Sequence, residues 1–104
     1  MFIAMNRFQV KPGSEKAFEE IWLNRESHID TVPGFVEFHL LKGPKLDDHT
    51  LYSSHTVWAS RETFEDWIRS EAFRKAHKDA GSHDDVYLGH PNFEGFDVIQ
   101  TVKP

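Results

Sequence analysis

Between Ser60 and Ala80 the apolar residues follow two helical stripes that are out of phase with each other. Phe64, Trp67 and Ile68 form an i, i+3, i+4 set, and Phe73, Ala76, His77 and Ala80 form a second. One straight helix would carry the first stripe on through Glu71 and Lys75, which are charged. The pattern therefore predicts two helices joined at Ser70, whose hydroxyl is suited to cap the second from Glu71. His77 then falls on the apolar face of that second helix, between Phe73 and Ala80.

What flanks this helical pair reads as strand. Phe2 to Lys11 alternates with Phe2, Ala4, Asn6, Phe8 and Val10 on one face and Ile3, Met5, Arg7, Gln9 and Lys11 on the other. Both faces begin apolar, so both are expected to be covered. Lys11-Pro12-Gly13 is a turn signal, and Ser14 with Glu15 opens a helix expected to fade near His28. Its buried stripe is Ala17, Phe18, Ile21 and Trp22, with Glu19, Glu20, Asn24 and Glu26 left wet. Thr31-Val32-Pro33-Gly34 breaks the chain again, because Pro33 disfavours helical geometry at Val32.

Phe35 to Lys42 predicts a second strand with Val36, Phe38 and Leu40 on one face, and Gly43 to His49 a hairpin connection. Leu51 to Ala59 predicts a third strand, with Tyr52, Ser54, Thr56 and Trp58 on one side and Leu51, Ser53, His55 and Val57 on the other. Gly81 to Asn92 carries few apolar anchors and reads as a mobile loop or lid. Phe93 to Val102 closes the chain as a fourth strand, with Phe96, Val98 and Val102 in register. The order is βαββαβ, counting the helical pair as one. It predicts a single α+β, ferredoxin-like domain over residues 1–104, an antiparallel sheet with helices on one face.

Composition narrows the function. Nine Phe, three Trp and two Tyr in 104 residues are more aromatic surface than one small core needs, which points to a ligand pocket or a subunit interface. A net charge of −5 without a basic stripe argues against extended nucleic-acid binding. The absence of cysteine excludes disulfides, thiolate catalysis and thiolate-held metal clusters, and is compatible with a reducing cytosol. The opening MFIAMNRFQV meets Asn6 and Arg7 too early for a signal-peptide core, and no run reaches transmembrane length. A cytoplasmic protein with no membrane partner is expected.

In the expected fold Asn6 and the Trp67/His77 face converge on a space between sheet and helices. A neutral imidazole ligates haem iron, an indole offers a wide rigid surface to a macrocycle, and a carboxamide donates hydrogen bonds. Each residue also has a plainer reading: Asn6 bonded to nearby backbone, Trp67 as core, His77 as a core or interface histidine. His83, Asp84, Asp85 and His90 match no zinc or calcium spacing and read as solvated loop residues.

The NRF of the first strand, the VPGF turn and TVWxSxxxFxDWxxSxxFxxAH from Thr56 to His77 resemble the haem-degrading monooxygenases of the IsdG type. These belong to the antibiotic biosynthesis monooxygenase (ABM) superfamily of dimeric ferredoxin-like α+β barrels. The resemblance covers nearly the whole chain. It implies that His77 is the axial ligand of haem iron, that Trp67 presses the porphyrin out of plane, and that Asn6 donates a hydrogen bond toward dioxygen. All three would be catalytic and cofactor-binding residues, and His77 the metal ligand. Haem would be both substrate and cofactor, opened with O2 to free iron and a linear tetrapyrrole, in the service of haem degradation and iron acquisition. No nicotinamide or flavin site is visible, so electrons would come from a separate reductase or other external donor. A homodimer is implied, its interface covering the Ile3 and Met5 face. Arg25, Arg69, Arg74, Lys75 and Lys78 are all available to the haem propionates, with nothing to rank them. Two rivals stand beside this reading: a cofactor-free ABM monooxygenase acting on an aromatic polyketide or quinol, and a haem-binding protein without turnover.

Overall fold

The computed structural model describes residues 1–25, 28–77 and 86–104, without the side chains of Ala72, Ala76 and His77. The elements are β1 (Phe2–Val10), α1 (Glu15–Leu23), β2 (Phe35–Lys45), β3 (Thr50–Trp58), α2 (Arg61–Ile68), α3 (Glu71–His77) and β4 (Asn92–Asp97), with a 3-10 turn at Ile29–Thr31. Among the described residues the strands form one antiparallel sheet in the order β2-β3-β1-β4. This is the expected ferredoxin-like α+β architecture. No helix among the described residues is long and apolar enough to cross a membrane.

Register puts Phe2, Ala4, Asn6, Phe8 and Val10 of β1 beside Trp58, Thr56, Ser54, Tyr52 and Thr50 of β3 on one face. The helices cover that face in two clusters. Phe18 of α1 packs on Phe8, Val10 and Tyr52, while Trp67 of α2 packs with Phe2, Ala4 and Trp58. Burying side chains of this size contributes roughly 1.5–3 kcal/mol each.

Two glycines are dictated by close approach. Gly34, in the VPGF turn, has φ +85°, and a Cβ there would run into Thr63 of α2. A Cβ on Gly95 of β4 would come 2.7 Å from the Phe2 ring.

Several expectations need correction. Ser14 makes no capping bond through its side chain. Glu15 takes over, accepting the Gly13 N–H at 2.8 Å and the Thr50 hydroxyl at 2.8 Å. α1 stops at Leu23 rather than near His28: the Arg25 N–H bonds the Trp22 carbonyl at 3.3 Å, tightening the last turn, and His28 itself is left-handed at φ 53°. Ala17 is exposed, because it sits about 100° round the helix from Phe18, at the edge of the stripe. Glu19 is not wet but tied down, accepting the Tyr52 hydroxyl at 2.5 Å and lying 3.2 Å from Lys42 Nζ.

β2 runs on to Lys45 and has a bulge between Phe35 and Glu37. Val36 therefore leaves the face shared by Phe38 and Leu40 and is 49% exposed. β4 ends at Asp97, and its inward face is Phe93, Gly95 and Asp97; Phe96 pairs with Ile3 on the opposite face. The part of the expected lid that is described, from Val86 on, is anchored. Val86 is buried in the α1 cluster, Tyr87 bridges to Val10, and the Leu88 N–H bonds the Gln9 carbonyl at 2.8 Å. Residues 81–85, with His83, Asp84 and Asp85, lie outside the described residues.

Candidate functional site

Ser60 opens α2 with a capping box, its hydroxyl accepting the Thr63 N–H at 3.2 Å while Thr63 Oγ1 accepts the Ser60 N–H at 3.3 Å. Ser70 then makes the expected break. Its hydroxyl donates to the Trp67 carbonyl at 2.6 Å and accepts the Phe73 N–H at 3.1 Å, closing one helix and starting the next. The turn brings Trp67 and Phe73 edge to face, with ring centroids 5.5 Å apart at 88°.

Under this corner lies a cavity of about 500 Å³, within the size range of sites for drug-sized ligands. Its floor is the sheet: Ala4 and Asn6 of β1, Ser54 and Thr56 of β3. Small side chains there leave depth. Its roof is Phe64, Trp67, Ile68 and Phe73. Phe93 of β4 stacks on Phe64 at 5.6 Å and 4°, and Trp22 on Phe38 at 5.8 Å and 12°, extending the walls with flat rings.

Asn6 sits on the floor, paired with Ser54 on one side and Phe93 on the other. Its carboxamide makes no hydrogen bond among the described residues, and it is only half-buried. The plainer reading, an amide tied to neighbouring backbone, does not hold. Trp67 is both wall and core: it is 5% exposed, lies 6.2 Å from Trp58 between centroids, and still lines the cavity. Asn6 and Trp67 are thus brought together. His77 is the last residue of α3, and its imidazole lies outside the described residues.

Among the described residues no group of three or more His, Asp or Glu is placed to hold a metal ion. The shifted carboxylates lie away from the cavity. Glu15 is held below the usual carboxylate range by the Thr50 hydroxyl, and Glu19 by the Tyr52 hydroxyl with Lys42 nearby. Burial, with Glu19 beside it, pushes the Tyr52 phenol up. These groups fasten α1 to the sheet.

Sequence reasoning missed Phe93, whose inward parity depends on the register of β4 with β1. It also left Arg25 unranked, although the i, i+3 spacing from Trp22 was a signal that the two could meet. Of the five cations considered, Arg25 lines the cavity, Arg69 pairs with Glu65 at 3.1 Å, Arg74 and Lys75 are exposed, and Lys78 is outside the described residues.

A family model described as antibiotic biosynthesis monooxygenase matches residues 1–79. A haem oxygenase (staphylobilin-producing) 1 of Staphylococcus aureus strain Newman is 32% identical over 77 residues, covering 74% of this chain and 71% of that protein. The solved structure of the haem-degrader MhuD from Mycobacterium tuberculosis, with two haems bound in its active site, superposes with a TM-score of 0.74 at 26% identity, covering 99% of this chain and all (100%) of that one. SnoaB, a cofactor-independent oxygenase from Streptomyces nogalater, superposes with a TM-score of 0.73 at 22% identity over 99% of this chain and 97% of that one, a likeness of fold alone.

Proposed function

We propose, from the premise that this chain belongs to the antibiotic biosynthesis monooxygenase family and is an oxygenase of that family, that its substrate is haem and that it opens the porphyrin ring. One observation carries the reading: Asn6 and Trp67, from opposite layers of the fold, line one aromatic cavity, and the Asn6 amide is left without a partner among the described residues. The haem-degrading relatives support the choice of substrate.

The residues present suit a flat macrocycle. The cavity is walled by Trp58, Trp67, Phe64, Phe73 and Phe93, and the polar groups on its floor are few. Haem would supply the iron at which dioxygen reacts, with electrons from an external donor. His77 would hold the iron from the end of α3. Trp67, wedged between Trp58 and Phe73, is a rigid surface for pressing on one side of the ring. Asn6 offers an N–H donor from the sheet side, and a bond made beside the aromatic walls is stronger than one in open water.

Titration of haem into the protein, followed by its Soret band, with reductant then added under air, tests the reading. The expected result is a shifted Soret band that decays to bilin absorbance with release of iron. An unperturbed haem spectrum would favour a cofactor-free oxygenase of the same family, and a stable bound spectrum under reductant would favour haem binding alone.

A further inference from the structure

Across the middle of the sheet one register row reads Phe93, Asn6, Ser54 and Leu40, from β4 through β1 and β3 to β2. The two outer positions are apolar and the two central ones polar. Ser54, like Asn6, lines the cavity, and it is only 6% exposed.

Burial normally obliges a hydroxyl to find a partner. The other buried serine and threonine side chains among the described residues have one: Thr50 donates to Glu15 at 2.8 Å, and Ser53 to the Ser54 carbonyl at 3.1 Å. The Ser54 hydroxyl bonds nothing among the described residues, and neither does the Asn6 amide opposite it. Side chains directly opposite in an antiparallel pair have Cβ atoms about 4.5–5.5 Å apart. An O–H from one and an N–H from the other, each making a bond of about 3 Å, can therefore meet on a single atom above the floor. Ala4 and Thr56, the next pair along the same face, are small and leave that point open to the cavity. No carboxylate among the described residues lines the cavity, so no anionic side chain there competes for the two donors. Beside aromatic walls, two donors aimed at one point favour an oxygen that carries or gains negative charge.

We propose that Ser54 is a further ligand-binding residue of the cavity, its hydroxyl and the Asn6 amide donating together to one oxygen held beside an aromatic or macrocyclic ring. The seat selects an oxygen that is anionic or gains negative charge. With haem as substrate, which rests on the function proposed above, the seated oxygen belongs to dioxygen.

The test applies two probes to the wild type, Ser54→Ala and Ser54→Thr. One is 2-naphthol, which needs no haem: two donors stabilise its naphtholate, and absorbance reports the ionisation of the bound molecule. The other is azide, an anionic acceptor titrated spectrophotometrically into the protein loaded with ferric haem. In Ser54→Ala the bound naphthol should ionise about one pH unit higher than in the wild type, and azide should bind about tenfold more weakly, the size of one hydrogen bond to a charged group. Ser54→Thr keeps the hydroxyl and should stay close to the wild type in both. A naphthol shift without any haem binding would leave the seat standing and remove the haem reading. Haem binding with naphthol ionisation and azide affinity both unchanged in Ser54→Ala would overturn the seat and leave the haem reading intact. Equal losses in Ser54→Ala and Ser54→Thr would mark a packing effect and overturn the seat, as would a wild type that binds neither naphthol nor haem.

Discussion

The indole of Trp67 lies 6.2 Å from that of Trp58, tilted by 30°, so one residue serves the core and the cavity at once. This double role shapes what its replacement does. Trp67→Ala removes a side chain that is 95% buried, its exposure being 5%, and should destabilise by about 3–5 kcal/mol, a large part of a small domain's margin. Trp67→Phe keeps a ring against Phe73 and should lose less of both stability and haem turnover. Denaturant unfolding beside bilin yield separates the two effects. Full activity in Trp67→Phe together with full activity in folded Trp67→Ala would show that the indole does not act on the substrate.

His77 is proposed as the axial ligand on the strength of the resemblance and of its place at the end of α3. His77→Ala should abolish or grossly alter the bound-haem spectrum while the far-UV circular dichroism stays that of the wild type. An unchanged Soret band would move the axial ligand elsewhere, and the loop histidine His83 is the next to replace.

The Glu19–Tyr52 bond sets an acid limit. The folded state holds Glu19 below its ordinary value, so its contribution is present above about pH 4.5, the model-compound value, and is lost as pH falls through the lower folded value. For Tyr52 the sign reverses: its phenol is pushed up, so stability should fall as pH rises past about 10, the ordinary tyrosine value. Between these limits the Glu19–Tyr52 pair adds no pH dependence, and Glu19→Gln should flatten the acid limb. An acid limb unchanged in Glu19→Gln would assign it to other carboxylates.

The sheet face opposite the helices carries Ile3, Met5, Val57, Leu41 and Phe96, with Phe96 46% and Leu41 41% exposed. Pairing two such faces across a twofold axis would cover them. Sedimentation at micromolar protein should give about twice the 12.1 kDa chain mass, and Phe96→Glu should shift it toward the monomer. A wild-type monomer would contradict the dimer.

The helical break was legible because Glu71 and Lys75 interrupt the first stripe, and Ser70 makes the bonds that its position at the break demands. The succession of strands and helices along the chain followed from periodicity and turn residues. Register did not: Phe93 and Phe96 are equally apolar, and only pairing with β1 decides that Phe93 enters the cavity. The anchoring of Val86 and Tyr87 was hidden because two apolar residues carry no period. Asn6 and Trp67 were found; Arg25 was not singled out, because its i, i+3 spacing from Trp22 shows only that the two can meet, and where α1 ends sets its direction.

The central claim is that the Asn6 amide, unpartnered among the described residues, serves ring opening and not the strand it sits on. The direct measurement is bilin production and iron release by Asn6→Ala and wild type, under air with reductant, and with catalase present to exclude free peroxide. The account predicts that Asn6→Ala binds haem with the wild-type spectrum and melts within about 1 kcal/mol of the wild type, yet yields little bilin. Wild-type bilin yield from Asn6→Ala would contradict it.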